Sequence, residues 1–422
     1  MSTSFFKVTE HVIPAQHIRE FPYATANRQE DVLRLAVKQY TPLDNLNPKD
    51  GDLTILGGHA NAFPKELYEP LWDELFKLSK AKGFRIRNIW IADVAHQGHS
   101  SVINENLLGN DPSWFDHPRD LLGLVNHFRS SFVRPIIGVG HSMGGAHLVQ
   151  LSLNHPRLLS SLILIDPVMQ RFTSPRGTGG PAQASSRRRD IWPSRNDAHA
   201  GFARSKFYQT WDPRVLALWE QHGLRDLPTK VHPAAERGDP RVTLTTSKHQ
   251  EVFTFLRETG KDTSRAGFTV AEKKRVEALL YPDFVGGGWE ATWGFYRPEP
   301  IQIFASLPFV RPSVLYVFGD ESDLSAPDLR ADKMAATGTG LGGSGGEKAG
   351  RVKEVVVKNV GHLIPMIKVM ETAGYAADWI GDELKRWRAD EALLKRQWNS
   401  LPDEEKYMLG KTAIGKFGKA MI

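Results

Sequence analysis

Gly140-His141-Ser142-Met143-Gly144 sets a serine two residues from a glycine on either side. A serine hydroxyl is a weak nucleophile until a turn presents it to a neighbouring base, and this spacing is what a sharp strand-to-helix turn requires. Residues 134–139 (Arg-Pro-Ile-Ile-Gly-Val) read as a short buried strand, and residues 146–153 as the apolar start of a helix. On such a turn the serine backbone is strained and its Oγ stands above the sheet edge. Side chains at Gly140 or Gly144 would strike the adjoining strand and helix. The five-residue pattern also arises in purely structural glycine turns, but the strand-turn-helix context selects the chemical reading. Ser142 is the expected nucleophile.

A nucleophilic serine needs a base, and the base needs an orienting group. Gly361-His362-Leu363 follows a strand predicted over residues 352–358 through a short loop. A helix-capping or core histidine is the alternative, and the strand-end position favours the base. Two carboxylates compete for the orienting role. Asp166 closes the strand over 162–165 in Leu164-Ile165-Asp166-Pro167. Asp323, with Asp320 nearby, follows the strand over 314–318 in Gly319-Asp320-Glu321-Ser322-Asp323. The order serine, acid, histidine holds for either, and each is also a natural cap or turn carboxylate. Two backbone donors must meet a developing oxyanion. One is expected from the N–H of Met143 and the other from the N–H of Asn61, in a turn shaped by His59 and Ala60. Asp93, His96 and His99 resemble a ligand set for a metal, but no further cluster joins them, so a hydrogen-bonded turn is expected. Neither a metal nor a cofactor is called for.

The elements that must position these groups alternate. Residues 32–39 read as a strand with one exposed face, residues 53–56 as a buried strand, 67–78 as a helix and 84–92 as a strand. A helix over 121–128, the Ser142 strand and helix, and the strand over 162–165 follow. Such alternation implies right-handed crossovers and a mostly parallel sheet. It stops after Pro167. Residues 174–190 form a Gly/Ser/Arg stretch, expected as a flexible flap, and Gly286-Gly287-Gly288-Trp289 is turn-rich. The pattern resumes with the strands over 314–318 and 352–358 and a closing helix over 373–388. Between those strands, Gly338, Gly340 and Gly343 match a dinucleotide fingerprint in spacing only. They follow a helical segment, so a flexible surface loop is expected over 337–350. The divisions are therefore 1–169, an inserted segment 170–305, and 306–422.

Composition narrows the class. The 422 residues are 41% hydrophobic and 24% charged, as in a water-soluble globular protein. The net charge of +6 is spread along the chain apart from Arg187-Arg188-Arg189, which no aromatic platform accompanies, so a nucleic-acid partner is not expected. With no cysteine there is no disulfide framework and no thiolate site. No signal-peptide pattern, membrane span or Ser-Lys-Leu address is read, so a cytoplasmic location is expected.

Taken together, these motifs resemble the α/β-hydrolase superfamily over about residues 30–170 and 305–390. Further stretches, such as Asn61-Ala62-Phe63-Pro64-Lys65-Glu66, Trp192-Pro193-Ser194-Arg195 and Trp211-Asp212-Pro213-Arg214-Val215, are similar to a fungal branch. That branch includes the peroxisomal lipase and the hydrolase-like proteins of toxin biosynthesis. The resemblance implies a mostly parallel sheet with an inserted helical lid, an acid at Asp166 rather than Asp323, and secondary metabolism as a setting. It also brings a peroxisomal location into consideration. The reaction expected is cleavage of an ester, lactone or thioester of a bulky apolar small molecule through an acyl-serine. The aromatics Trp192, Phe202, Phe207, Tyr208, Trp211, Trp219, Trp289, Trp293, Phe295 and Tyr296 of the insertion carry the apolar part of that expectation. Cyclisation or product release at the same site, and ligand binding without turnover, are the alternatives. An intact Ser142 and His362 argues against the last. No oligomeric state is read from the sequence.

Overall fold

The computed structural model describes residues 2–172, 179–258, 267–282, 295–410 and 415. Eight strands form one sheet: β1 (Phe6–Pro14), β2 (Arg34–Pro42), β3 (Leu53–Gly58), β4 (Ile86–Ala92), β5 (Ile136–His141), β6 (Ser161–Ile165), β7 (Ser313–Gly319) and β8 (Val352–Val357). Their spatial order is β1-β2-β4-β3-β5-β6-β7-β8. β2 runs antiparallel to both β1 and β4, and every other neighbour is parallel. The short apolar runs of the sequence become strands because both faces of this sheet are covered. In β6 and β7, Ile163, Ile165, Leu315 and Val317 point to one core, whereas Leu162, Leu164, Tyr316 and Phe318 point to the other.

The helices are α1 (Glu69–Ser79), α2 (Gly98–Ile103), α3 (Asp116–His127), α4 (Met143–Asn154), α5 (Gly180–Arg187), α6 (Arg195–Arg204), α7 (Lys206–Gln209), α8 (Pro213–His222), α9 (Lys248–Phe255), α10 (Val270–Leu280), α11 (Glu299–Ser306), α12 (Pro327–Ala336), α13 (Ile364–Ile367) and α14 (Val369–Asn399). α1 and the first half of α14 close one face, through Trp72, Leu75, Ala373, Ala377 and Ile380. α3, α4 and α11 close the other, through Leu121, Leu124, Leu148, Leu151 and Ile303. Among the described residues no helix is long and apolar enough to cross a membrane.

Several local expectations differ from the structure. β1 went unread, although Val8, Thr9, Val12 and Ile13 supply β-branched residues and pair β2 along its whole length. The strand expected over 32–39 with an exposed face is instead buried across Leu35, Ala36 and Val37, with Leu35 and Val37 packed into the core on the α3 and α4 face. The insertion is not purely helical. Ile191–Trp192, Val242–Leu244 and Leu224–Asp226 form a three-stranded sheet within it, and Arg257–Glu258 pairs with Phe295–Tyr296. The stretch expected as a flap contains α5, which buries Ala182 and Ser185, although 173–178 lie outside the described residues. Gly286-Gly287-Gly288-Trp289 and Trp293 lie outside them as well. The glycines of 337–350 pin a loop rather than free it. Gly338 and Gly340 N–H groups donate to Leu307 and Pro308 carbonyls at 2.9 and 2.8 Å, and Ser344 N–H to Val310 at 3.0 Å.

Candidate active site

β5 delivers Ser142 to the N-terminus of α4 with φ 57° and ψ −122°, a conformation a residue bearing a Cβ rarely adopts. What holds it there is close packing. A Cβ on Gly140 would stand 2.6 Å from the Gly144 carbonyl oxygen, and one on Gly144 would stand 2.2 Å from the Gly58 carbonyl carbon. The Ser142 N–H donates to the Ile165 carbonyl at 2.9 Å, which ties the turn to the end of β6.

Asp166 follows directly, also at positive φ (42°), and its N–H donates to Val317 of β7 at 2.9 Å. Its carboxylate Oδ2 accepts from His362 Nδ1 at 2.6 Å, and His362 Nε2 lies 2.8 Å from Ser142 Oγ. A nitrogen facing a carboxylate carries the proton, so Nδ1 donates and Nε2 is left to accept the serine hydroxyl proton. The structure thus brings Ser142, His362 and Asp166 into one hydrogen-bonded line. Asp323 is not part of it. That residue, exposed, starts a short 3-10 turn, Asp323–Ser325, after β7, in which Leu324 and Ser325 are buried. The loop's contribution is two hydroxyls that the sequence did not single out: Ser322 Oγ donates to Asp166 Oδ2 at 2.5 Å, and Ser325 Oγ donates to Oδ1. Burial raises the Asp166 carboxyl, but the bonds from His362, Ser322 and Ser325 outweigh it and hold the group below its ordinary value.

The loop after β3 is equally well fixed. His59 Nδ1 donates to the Ala60 carbonyl at 2.8 Å and Nε2 accepts from the Val94 N–H at 2.9 Å. Burial outweighs the attraction of Asp93 and lowers the His59 value, which suits this neutral tautomer. Gln97, fully buried, donates to Asn61 Oδ1 (2.7 Å) and to Thr254 Oγ1 (2.8 Å) and accepts from the Ala62 N–H (2.7 Å). Asn61 Nδ2 in turn donates to the Glu251 carbonyl at 3.0 Å, so α9 of the insertion is bonded to this loop. Among the described residues the N–H groups of Asn61 and Met143 make no hydrogen bond. At Met143 the reason is its place at the first position of a helix.

Asp93, His96 and His99 meet no fellow ligands among the described residues. Asp93 accepts from Lys65 Nζ (2.7 Å), the Lys65 N–H (3.0 Å) and the His99 N–H (2.9 Å), while His96 Nε2 reaches Thr254 Oγ1 at 2.8 Å. The insertion's aromatics are mainly its own core: Phe202 packs on Trp192 and Tyr208, and Tyr208 on Trp211 and Trp219. Phe207 is exposed, and the side chains of Phe295 and Tyr296 lie outside the description. The cluster reaches the site through Phe63, whose ring centroid is 5.5 Å from Trp211 and 6.4 Å from His141.

Comparison with known proteins places the chain in a family and a fold. Residues 56–374 match the model of an alpha/beta hydrolase family. A type I acyl-CoA thioesterase, mpaH, of Penicillium brevicompactum is 39% identical over 96% of this chain and 94% of its own. An abhydrolase domain-containing protein, AFT2-1, of Alternaria alternata is 30% identical over 65% of this chain and 94% of its own. Among solved structures, the peroxisomal alpha-beta-hydrolase Lpx1 of Saccharomyces cerevisiae superposes with a TM-score of 0.64 at 16% identity. That match covers 94% of this chain and 99% of the yeast protein, and at such identity it speaks to the fold.

Proposed function

The chain belongs to the alpha/beta hydrolase family, and we propose that it is a serine hydrolase cleaving the thioester of an acyl-CoA with a bulky apolar acyl group. The observation that carries the mechanism is the line Asp166–His362–Ser142, with contacts of 2.6 and 2.8 Å, at a strained strand-to-helix turn. In this reading Ser142 Oγ attacks the thioester carbonyl carbon while His362 Nε2 takes its proton. The oxyanion is met by the N–H groups of Met143 and Asn61. Collapse breaks the carbon–sulfur bond, and the imidazolium returns the proton to the departing thiolate. Water, deprotonated by the same histidine, then frees the carboxylic acid and restores Ser142. Asp166 keeps the imidazole oriented and stabilises its cation throughout.

The thioester class rests on the acyl-CoA thioesterase for which the Penicillium relative is named. The apolar acyl group rests on the aromatic cluster of Trp211 and Trp219, which packs on Phe63 of the Asn61 loop beside the site. Residues 170–305 serve as the lid, because α9 and the Trp211 cluster meet the loop carrying Asn61.

The chain has no cysteine, so released CoA thiol is read without background from the protein. Wild-type protein should release thiol from a medium- or long-chain acyl-CoA, and Ser142→Ala or His362→Ala should each lower turnover by about 10⁴- to 10⁶-fold. Undiminished release by Ser142→Ala would overturn the mechanism. Esters cleaved while every acyl-CoA is left intact would overturn the substrate class.

A further inference from the structure

The groups assigned to the reaction sit on separate loops. Met143 and Ser142 lie on the turn after β5, Asn61 on the loop after β3, and His362 on the loop after β8. Geometry good to a few tenths of an ångström across three loops needs something that spans them. Two buried side chains, His141 and Tyr68, do so together. His141, the residue before the nucleophile, has no exposed surface. Its Nε2 lies 2.9 Å from the main-chain carbonyl oxygen of His362, which can only accept, so Nε2 carries the proton. The other ring nitrogen, Nδ1, must then accept, and it does so from Tyr68 Oη at 2.9 Å. The same Tyr68 oxygen accepts the Ala60 N–H at 2.8 Å, one residue before Asn61. Four groups therefore form a directed chain: Ala60 N–H to Tyr68 Oη, Tyr68 O–H to His141 Nδ1, and His141 Nε2–H to the His362 carbonyl.

Each link has a single possible direction, so the chain is either complete or broken. Burial beside His362 pushes His141 down to about 3, so the ring stays neutral and the chain intact across the working pH range. Tyr68 sits in the 3-10 turn Lys65–Tyr68 that leads into α1, with its ring against Trp72. Nothing in the acyl-serine mechanism uses either side chain directly.

We propose that Tyr68 and His141 are positioning residues that lock the Asn61 loop and the His362 loop into one mutual geometry. The inference rests on the reading of Ser142, His362 and Asn61 given above. Its signature is a defect in the transition state that both ends share. Neither side chain is assigned a contact with the acyl group, so kcat should suffer more than KM.

The test uses the full chain, with active sites counted by a fluorophosphonate probe so that misfolded protein is excluded. Tyr68→Phe keeps the packing on Trp72 and removes the hydroxyl. His141→Gln can keep a donor near the Nε2 position for the His362 carbonyl, but its amide oxygen does not occupy the place of Nδ1 and so does not reproduce the Tyr68 contact. Per titrated site, each should lower kcat by roughly 10- to 100-fold with KM within about threefold, since sub-ångström misplacement costs this much. The double variant should lose little beyond either single one, because both break the same chain. Turnover per site within about twofold of wild type for Tyr68→Phe would overturn the proposal. So would losses that multiply in the double variant. If Tyr68→Phe yields no folded protein, His141→Gln alone decides by the same criterion. Wild-type protein that hydrolyses substrate but takes up no probe on Ser142 would overturn the underlying reading, and this inference with it.

Discussion

At the scale of single residues, Asp166 does more than complete a line of contacts. Its carboxylate is buried, yet the bonds from His362, Ser322 and Ser325 keep it ionised. Because its folded-state value lies below the unfolded one, the ionised group stabilises the fold above about pH 4, and that stabilisation is lost as pH falls through the folded value. Replacing both hydroxyls, Ser322→Ala with Ser325→Ala, raises the folded value, so the stabilisation present above the unfolded value shrinks and the variant's deficit is greatest at neutral pH. Urea midpoints measured from pH 3 to pH 7 should show the double variant furthest below wild type at pH 7 and converging on it towards pH 3. Curves that stay parallel would show that the hydroxyls do not hold the charge. The rival carboxylates separate equally well. Asp166→Asn should cut kcat by about 10⁴-fold, by analogy with other serine-histidine-aspartate sites, whereas Asp323→Asn, at an exposed side chain, should leave kcat within about twofold.

At the scale of elements, two helices brace the site. α9 is joined to the Asn61 loop through Thr254, whose hydroxyl accepts from Gln97 and meets His96 while donating to the Gln250 carbonyl. Thr254→Val keeps the shape and strands those buried partners, at a cost of about 1–3 kcal/mol in stability. If the insertion helps set the Asn61 donor, kcat should fall further than that cost explains at temperatures where the protein stays folded. An unchanged kcat would confine Thr254 to a structural part. On the other side, α12 buries Lys333, whose Nζ donates to the Leu324 carbonyl at 3.1 Å inside the loop that cradles Asp166. Burial pulls this amine down to about 8 despite the pull of Asp166 the other way. Its folded value lies below the unfolded one, so the protonated lysine burdens the fold at neutral pH and the burden lifts as pH rises from about 8 towards its unfolded range near 10.4. Lys333→Met should therefore compare more favourably with wild type at pH 7 than at pH 10 in denaturant unfolding. The opposite order would contradict the assignment.

At the scale of the whole molecule, the insertion is expected to choose the acyl group. Trp211→Phe should alter the ranking of short against long acyl-CoA substrates while leaving probe labelling of Ser142 intact, and an unaltered ranking would remove Trp211 from substrate selection. What the sequence revealed follows a physical divide. The parallel strands were legible because both-face burial demands continuous apolar runs, as in Leu162-Ile163-Leu164-Ile165. The nucleophile turn was legible because its steric limits force glycine at 140 and 144. β1 was not, since a half-exposed edge strand carries a weak pattern, with Val12 facing solvent. Ser322, Ser325, Tyr68 and Gln97 were not, because a hydroxyl or amide announces no partner until folding supplies one. Their partners lie 156, 159, 73 and 36 residues away. The central claim is that Ser142 becomes covalently acylated, and trapping is its most direct test. Peptide mass spectrometry after treatment with a fluorophosphonate should place one adduct on Ser142 and none in Ser142→Ala. An adduct on another residue, or labelling that survives Ser142→Ala, would contradict the account.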